Sequence, residues 1–148
     1  MTQLSMNFSL NELTASQEAT RHSINNKPSE KVVENLRMLA ALLEQVRTLL
    51  GGGAIRISSG YRSLALNRHI GSNDTSAHVR GWAADFTCPA FGSPIEVAKK
   101  IAESNLKFDQ LICEGNAWIH LSCDPQNRRQ VLTARFEHGH TYYTTGIT

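Results

Sequence analysis

The sequence predicts an α+β fold in which N-terminal helices pack on one face of a small, mainly antiparallel sheet. Three observations predict it. Apolar residues recur with helical spacing before residue 50, and alternating strand-like runs cluster after it. No internal repeat, biased tract or long linker divides the 148 residues. That length suits one domain with one core. The expected unit is 1–148, with a core over about 8–123 and a strand or hairpin extension over 124–148.

Ser9-Leu10-Asn11-Glu12 has capping-box spacing and predicts a helix from Leu10 to about Arg21, broken by Asn25-Asn26-Lys27-Pro28. The next helix has the clearest pattern. Val32, Leu36, Leu39, Leu43, Val46 and Leu50 alternate steps of four and three along one face, with Glu34, Arg37, Glu44 and Arg47 largely opposite. Gly51 stops it. Gly51 to Gly53 lack the Lys-Ser/Thr of a phosphate loop and read as a helix end and turn. Ala54 to Ser58 alternates like a strand, Ser63 to Ile70 suits a short helix, and Ala83 to Cys88 reads as a strand stopped by Pro89. Pro94 opens a helix to about Ser104. Gln110 to Glu114 and Trp118 to Cys123 read as paired strands, and Gln130 to Tyr143 as a final hairpin turning near Gly139.

Composition narrows the function. At 41% hydrophobic and 19% charged residues, the chain is neither disordered nor of low complexity. Its longest apolar run, Met38 to Leu43, is six residues, far short of a membrane span. The first twenty residues carry Glu12 and Glu18 and no basic region before an apolar stretch, so a cytoplasmic protein without a signal peptide is expected. A net charge of +2 is too small for a nucleic-acid footprint. Cys88, Cys113 and Cys123 are odd in number and lack CxxC spacing, which predicts buried reduced thiols. A monomer is expected.

Six histidines leave room for a metal site, although none forms His-Glu-x-x-His. His78 and Asp85 lie seven apart with Gly81 between them, which suits a loop folding back beside a strand. Trp118-Ile119-His120-Leu121 offers another imidazole on a strand. Two histidines and one carboxylate, with water in the fourth position, make a catalytic zinc site. Spacing alone leaves open the plainer alternative of unrelated polar residues, with a local hydrogen bond between His78 and Asp85.

Ser76-x-His78-x-x-Gly81-x-Ala83-x-Asp85, preceded by Ser59-Gly60-Tyr61-Arg62-Ser63 and followed by Trp118-x-His120, resembles the zinc D-alanyl-D-alanine carboxypeptidase family. That family also includes peptidoglycan endopeptidases used as phage endolysins. The resemblance spans roughly Phe8 to Cys123. It implies one Zn²⁺ per chain held by His78, Asp85 and His120, and peptidoglycan stem peptides as substrate. It implies that Arg62 meets the substrate or the oxyanion and that Ser76 supports the site. Trp82 and Trp118 flank the ligands and either line a cleft, with Trp118 touching substrate, or pack as plain aromatics. A lysin would wait in the cytoplasm for a separate route to the wall. A non-catalytic zinc-containing wall-binding or phage structural module of the same fold is the alternative.

Several members of that family carry an acid three positions before the last zinc histidine, where this chain has Ala117. Glu114, six before His120, is the nearest acid and the expected general base. If Gly115-Asn116-Ala117 forms a three-residue loop, Glu114 pairs with Trp118 and shares a sheet face with His120. A two-residue loop would turn Glu114 away. The favoured register turns Cys113 and Cys123 to the opposite face. His138 and His140 read as a solvated terminal hairpin able to trap stray metal, and His22 and His69 as surface or capping groups.

Overall fold

The computed structural model describes residues 2–148. The capping box at Ser9 is present, but the first helix stops after one turn and a half. Helix α1 covers Leu10–Thr14 and α2 covers Gln17–Arg21. The single expected helix is broken because Ala15 is extended and Ser16 restarts the chain as an N-cap, its hydroxyl accepting from Ala19 N–H. Helix α3, Glu30–Leu49, is capped by Ser29 and buries Leu36, Leu39, Ala40, Leu43 and Val46. Helix α4, Leu64–His69, follows strand β1, Arg56–Ser59. That strand begins two residues later than expected. A 3-10 turn at Ala77–Arg80 carries His78 into β2, Ala83–Thr87, where an irregular loop was expected. Helix α5, Pro94–Ala102, has Pro94 in its first turn and a complete capping box at Ser93.

The remaining strands are β3, Gln110–Glu114, β4, Trp118–Ser122, β5, Gln130–Glu137, and β6, His140–Thr145. They form one six-stranded sheet in the order β1-β2-β4-β3-β5-β6. Every pairing is antiparallel except β3 with β5, which is parallel. The β5–β6 turn places His138 and Gly139 at φ 53° and 76°, the left-handed pair that a two-residue hairpin needs.

Alternation along the strands sorts the two faces. Ala84, Phe86, Leu111, Cys113, Ile119 and Leu121 are fully buried and join α3 and α5 in one apolar core. That core reaches Leu4 at one end of the chain, and Ala134 on β5 is also fully buried. Asp85, Glu114, Trp118 and His120 occupy the other face. No described helix is long and apolar enough to cross a membrane.

Two connections hold the site-bearing face in place. The segment from β4 to β5 passes β3 and is tied down by Arg128, which makes two side-chain hydrogen bonds of 2.9 and 2.7 Å to buried Asp109. Arg129 donates to the carbonyls of Leu106 and Ser104 and lies over the Phe108 ring. At the end of β1, Gly60 packs directly on α1. A Cβ there would meet the Leu13 carbonyl oxygen at 2.3 Å, and Tyr61 N–H donates to that same oxygen. Gly60→Ala should therefore force two backbones apart and cost about 1–3 kcal/mol. A lower urea midpoint with an unchanged m-value checks it, and an unchanged midpoint would show that α1 yields freely.

Candidate metal centre and cleft

Each polar side chain of the site has a local reason for its position. Ser76 caps the 3-10 turn by accepting from His78 N–H. Gly81 ends that turn at φ 75°, so the chain reverses into β2 with Asp85 on the open face. Asp85 pairs directly with His120 across β2 and β4. Arg62 donates its backbone N–H to the His78 carbonyl, which joins the end of β1 to the turn. The β3–β4 hairpin adopts the three-residue loop. Glu114 pairs with Trp118, while Gly115 and Asn116 take φ 59° and 52°. Glu114 and His120 are then diagonal neighbours on one face.

The donor atoms of His78, Asp85 and His120 lie within 4.8 Å of one another. His78 Nε2 is 3.3 Å and His120 Nδ1 is 3.0 Å from Asp85 Oδ1. A tetrahedral ion with bonds of about 2.1 Å sets its donors about 3.4 Å apart, so little movement is needed to seat one. The other nitrogen of His78 is already committed. Its Nδ1 lies 2.7 Å from the Gly60 carbonyl, which fixes the ring and leaves the Nε2 lone pair for a cation. Two imidazoles and a carboxylate, one ring held from behind, fit zinc.

Electrostatics favour the same use. Burial pushes His78 below the ordinary imidazole range, which keeps it neutral and able to ligate. Burial also works to raise Asp85, but the facing His78 and the hydrogen bond from His120 outweigh it and hold the carboxyl well below its usual range. Glu114 moves the other way. Burial and then the charge of Asp85 raise its pKa, opposed by His120 and Arg62. Burial lowers Arg62, while the charges of Asp85 and Glu114 work to raise it.

These residues line a cleft of about 550 Å³. Arg62, Ser76, Trp82 and Trp118 line it. The Arg62 Nε–H and the indole N–H of Trp82 are buried without a partner. Arg80 stacks over Trp82, and Trp118 stacks with Phe136 of β5. The cysteines take no part. All three are buried free thiols, and burial pushes Cys123 up to about 12.

Three contributors went unnoticed in the sequence. The Gly60 carbonyl orients His78, while Tyr143 and Arg128 line the cleft from β6 and the β4–β5 connection. The tyrosine is reached only through the β3–β5 and β5–β6 pairings, which set Glu114, Ala134 and Tyr143 in line. No short-range pattern announces them. His138 and His140 are exposed at the far hairpin, whereas His22 and His69 meet at Glu18 on α2.

The Asp109–Arg128 pair beneath the cleft generates a pH prediction. Hydrogen bonds from Arg128 hold Asp109 below its ordinary value despite burial. A lowered folded pKa stabilises above the unfolded value, about 3.9, and that contribution is lost as pH falls through the folded value. Asp109→Asn should cost about 1–2 kcal/mol at neutral pH, discounted because Arg128 is half exposed. The variant should then lose less stability than the wild type between about pH 5 and 2. Parallel acid unfolding curves would show that the pair is not the titrating element.

A comparison with curated proteins returned no match. The family model described as Peptidase M15 matches residues 6–122, which takes in α1 through β4 and every donor of the His78–Asp85–His120 cluster. The match covers well over half of the chain, and the protein belongs to the Peptidase M15 family.

Proposed function

We propose that this protein is a zinc metallopeptidase that cleaves the D-amino-acid-containing stem peptides of peptidoglycan. In this reading it is a D,D-carboxypeptidase or endopeptidase, serving as a phage-type wall lysin held in the cytoplasm until lysis. The observation that carries the proposal is the convergence of His78 Nε2, Asp85 Oδ1 and His120 Nδ1 in a cleft beside a protonatable carboxylate. Residues 1–148 would act as one unit, with 124–148 supplying the cleft's far wall.

His78, Asp85 and His120 would hold a zinc ion, which would supply Lewis acidity toward the scissile carbonyl and water. The protein's own groups do the rest. Glu114, its proton affinity raised by burial and by the charge of Asp85, takes the proton of the attacking water and returns it to the leaving amine. Arg62 places a permanent charge and an unpaired N–H where the oxyanion develops. Trp118 and Ser76 border the peptide, and the Gly60 carbonyl keeps the His78 ring from turning. The alternative, a non-catalytic wall-binding or phage structural module, draws on Ala117, which cannot serve as an acid.

Digestion of purified peptidoglycan, read by mass spectrometry, tests the reading and names the bond cleaved. His120→Ala should strip the cleft metal, and full occupancy in that variant would remove His120 from the ligand set. Glu114→Gln should keep zinc and melting temperature while activity falls about 10²–10⁴-fold, the range of a positioned general base. Unchanged activity would assign the proton to another group. Arg62→Ala should retain zinc and lose about 10²-fold or more, the scale of a missing oxyanion donor. A wild-type protein that binds zinc and cleaves nothing would leave the wall-binding module standing.

A further inference from the structure

A second convergence of metal-type donors lies outside the cleft. Glu18 and His22 belong to α2 and its C-cap, and His69 to the last turn of α4. The two histidines are 47 positions apart in the chain. Both direct Nε2 at the same carboxylate oxygen. His22 Nε2 and His69 Nε2 are each 3.4 Å from Glu18 Oε2. The imidazole centroids are 4.4 Å apart with the rings tilted by 48°, and all three donor atoms fall within 4.8 Å of one another. The other carboxylate oxygen is engaged separately, since Arg21 Nη1 donates to Oε1 at 3.3 Å.

We infer that Glu18, His22 and His69 form a second site for a divalent cation of the zinc class, clamping α2 to α4. Both nitrogen-to-oxygen distances equal the donor spacing of a tetrahedral ion with bonds of about 2.1 Å. Nitrogen and carboxylate donors suit zinc, and nickel and copper more tightly still or comparably, over magnesium or calcium, which want oxygen alone. The side chains remain 37 to 45% exposed, so water completes the coordination and the ion exchanges with solvent. This site therefore fills on added metal, whereas the enclosed cleft donors retain theirs. Its position gives it a mechanical consequence. Helix α4 begins two residues after Arg62, and Glu18 and Arg62 line the same second cleft of about 560 Å³. Joining α2 to α4 stiffens the segment from which Arg62 projects.

Equilibrium dialysis of the full chain against micromolar zinc, with metal counted by mass spectrometry, tests the site. The wild type should take up about two ions and His22→Ala/His69→Ala about one. His120→Ala should also hold about one, and the triple variant none. The replaced surface residues leave the core intact, and circular dichroism verifies the fold. In the His120→Ala background, zinc should raise the melting temperature, and adding His22→Ala/His69→Ala should abolish the rise. Uptake by His120→Ala that survives removal of His22 and His69 would overturn the second site. So would no uptake by His120→Ala at all, which would make the three side chains a hydrogen-bonded cluster only. Failure of the peptidase reading would appear instead in the peptidoglycan digest and in the ion lost with His120, leaving the comparison made in the His120→Ala background unaffected.

Discussion

A carboxylate enclosed at 15% exposure sets the terms for everything around it. Taking Asp85 out of water without a partner would cost several kcal/mol, so its neighbours must supply protons or positive charge. Two imidazoles do so from distant parts of the chain. His120 arrives through the direct β2–β4 pairing, and His78 through the 3-10 turn that Ser76 caps and Gly81 ends. The same oxygen that accepts from His120 Nδ1 and faces His78 Nε2 is the one a shared cation would meet. Structure and coordination thus make one demand, a ring nitrogen on either side of Asp85 Oδ1. The Gly60 carbonyl behind His78 serves both, because it removes the ring's freedom to turn.

The parts of this arrangement that the sequence displayed are those governed by short-range rules. The apolar stripe of α3 follows from steps of three and four, and the Glu114–Trp118 pairing from loop length and two residues tolerant of positive φ. Parity then puts Glu114 and His120 on one face and Cys113 on the other. The grouping of His78 with Asp85 and His120 was different. Spacing alone left it undecided, and only the family resemblance of the motif blocks joined them. What stayed hidden depends on non-local geometry. The break at Ala15–Ser16 serves the docking of Gly60 on the Leu13 carbonyl, a contact 47 residues long in sequence. The parallel β3–β5 pairing, which carries Tyr143 to the cleft, requires the chain to pass over a strand already formed.

Displacement of the acid from position 117 to 114 has a physical consequence of its own. Ala117 is an exposed loop residue, and a carboxylate there would stand in water with an ordinary affinity for protons. Glu114 is a strand residue, half-buried beside Trp118 and within the field of Asp85. Its proton affinity rises for both reasons, the direction that the general base proposed at this position calls for. His120 and Arg62 oppose the rise. An acid on β3 rather than in the loop therefore exchanges solvent contact for burial beside Asp85. The exchange holds only in the three-residue register, because a slip of one position would turn Glu114 to the apolar face that Cys113 and Ile119 occupy.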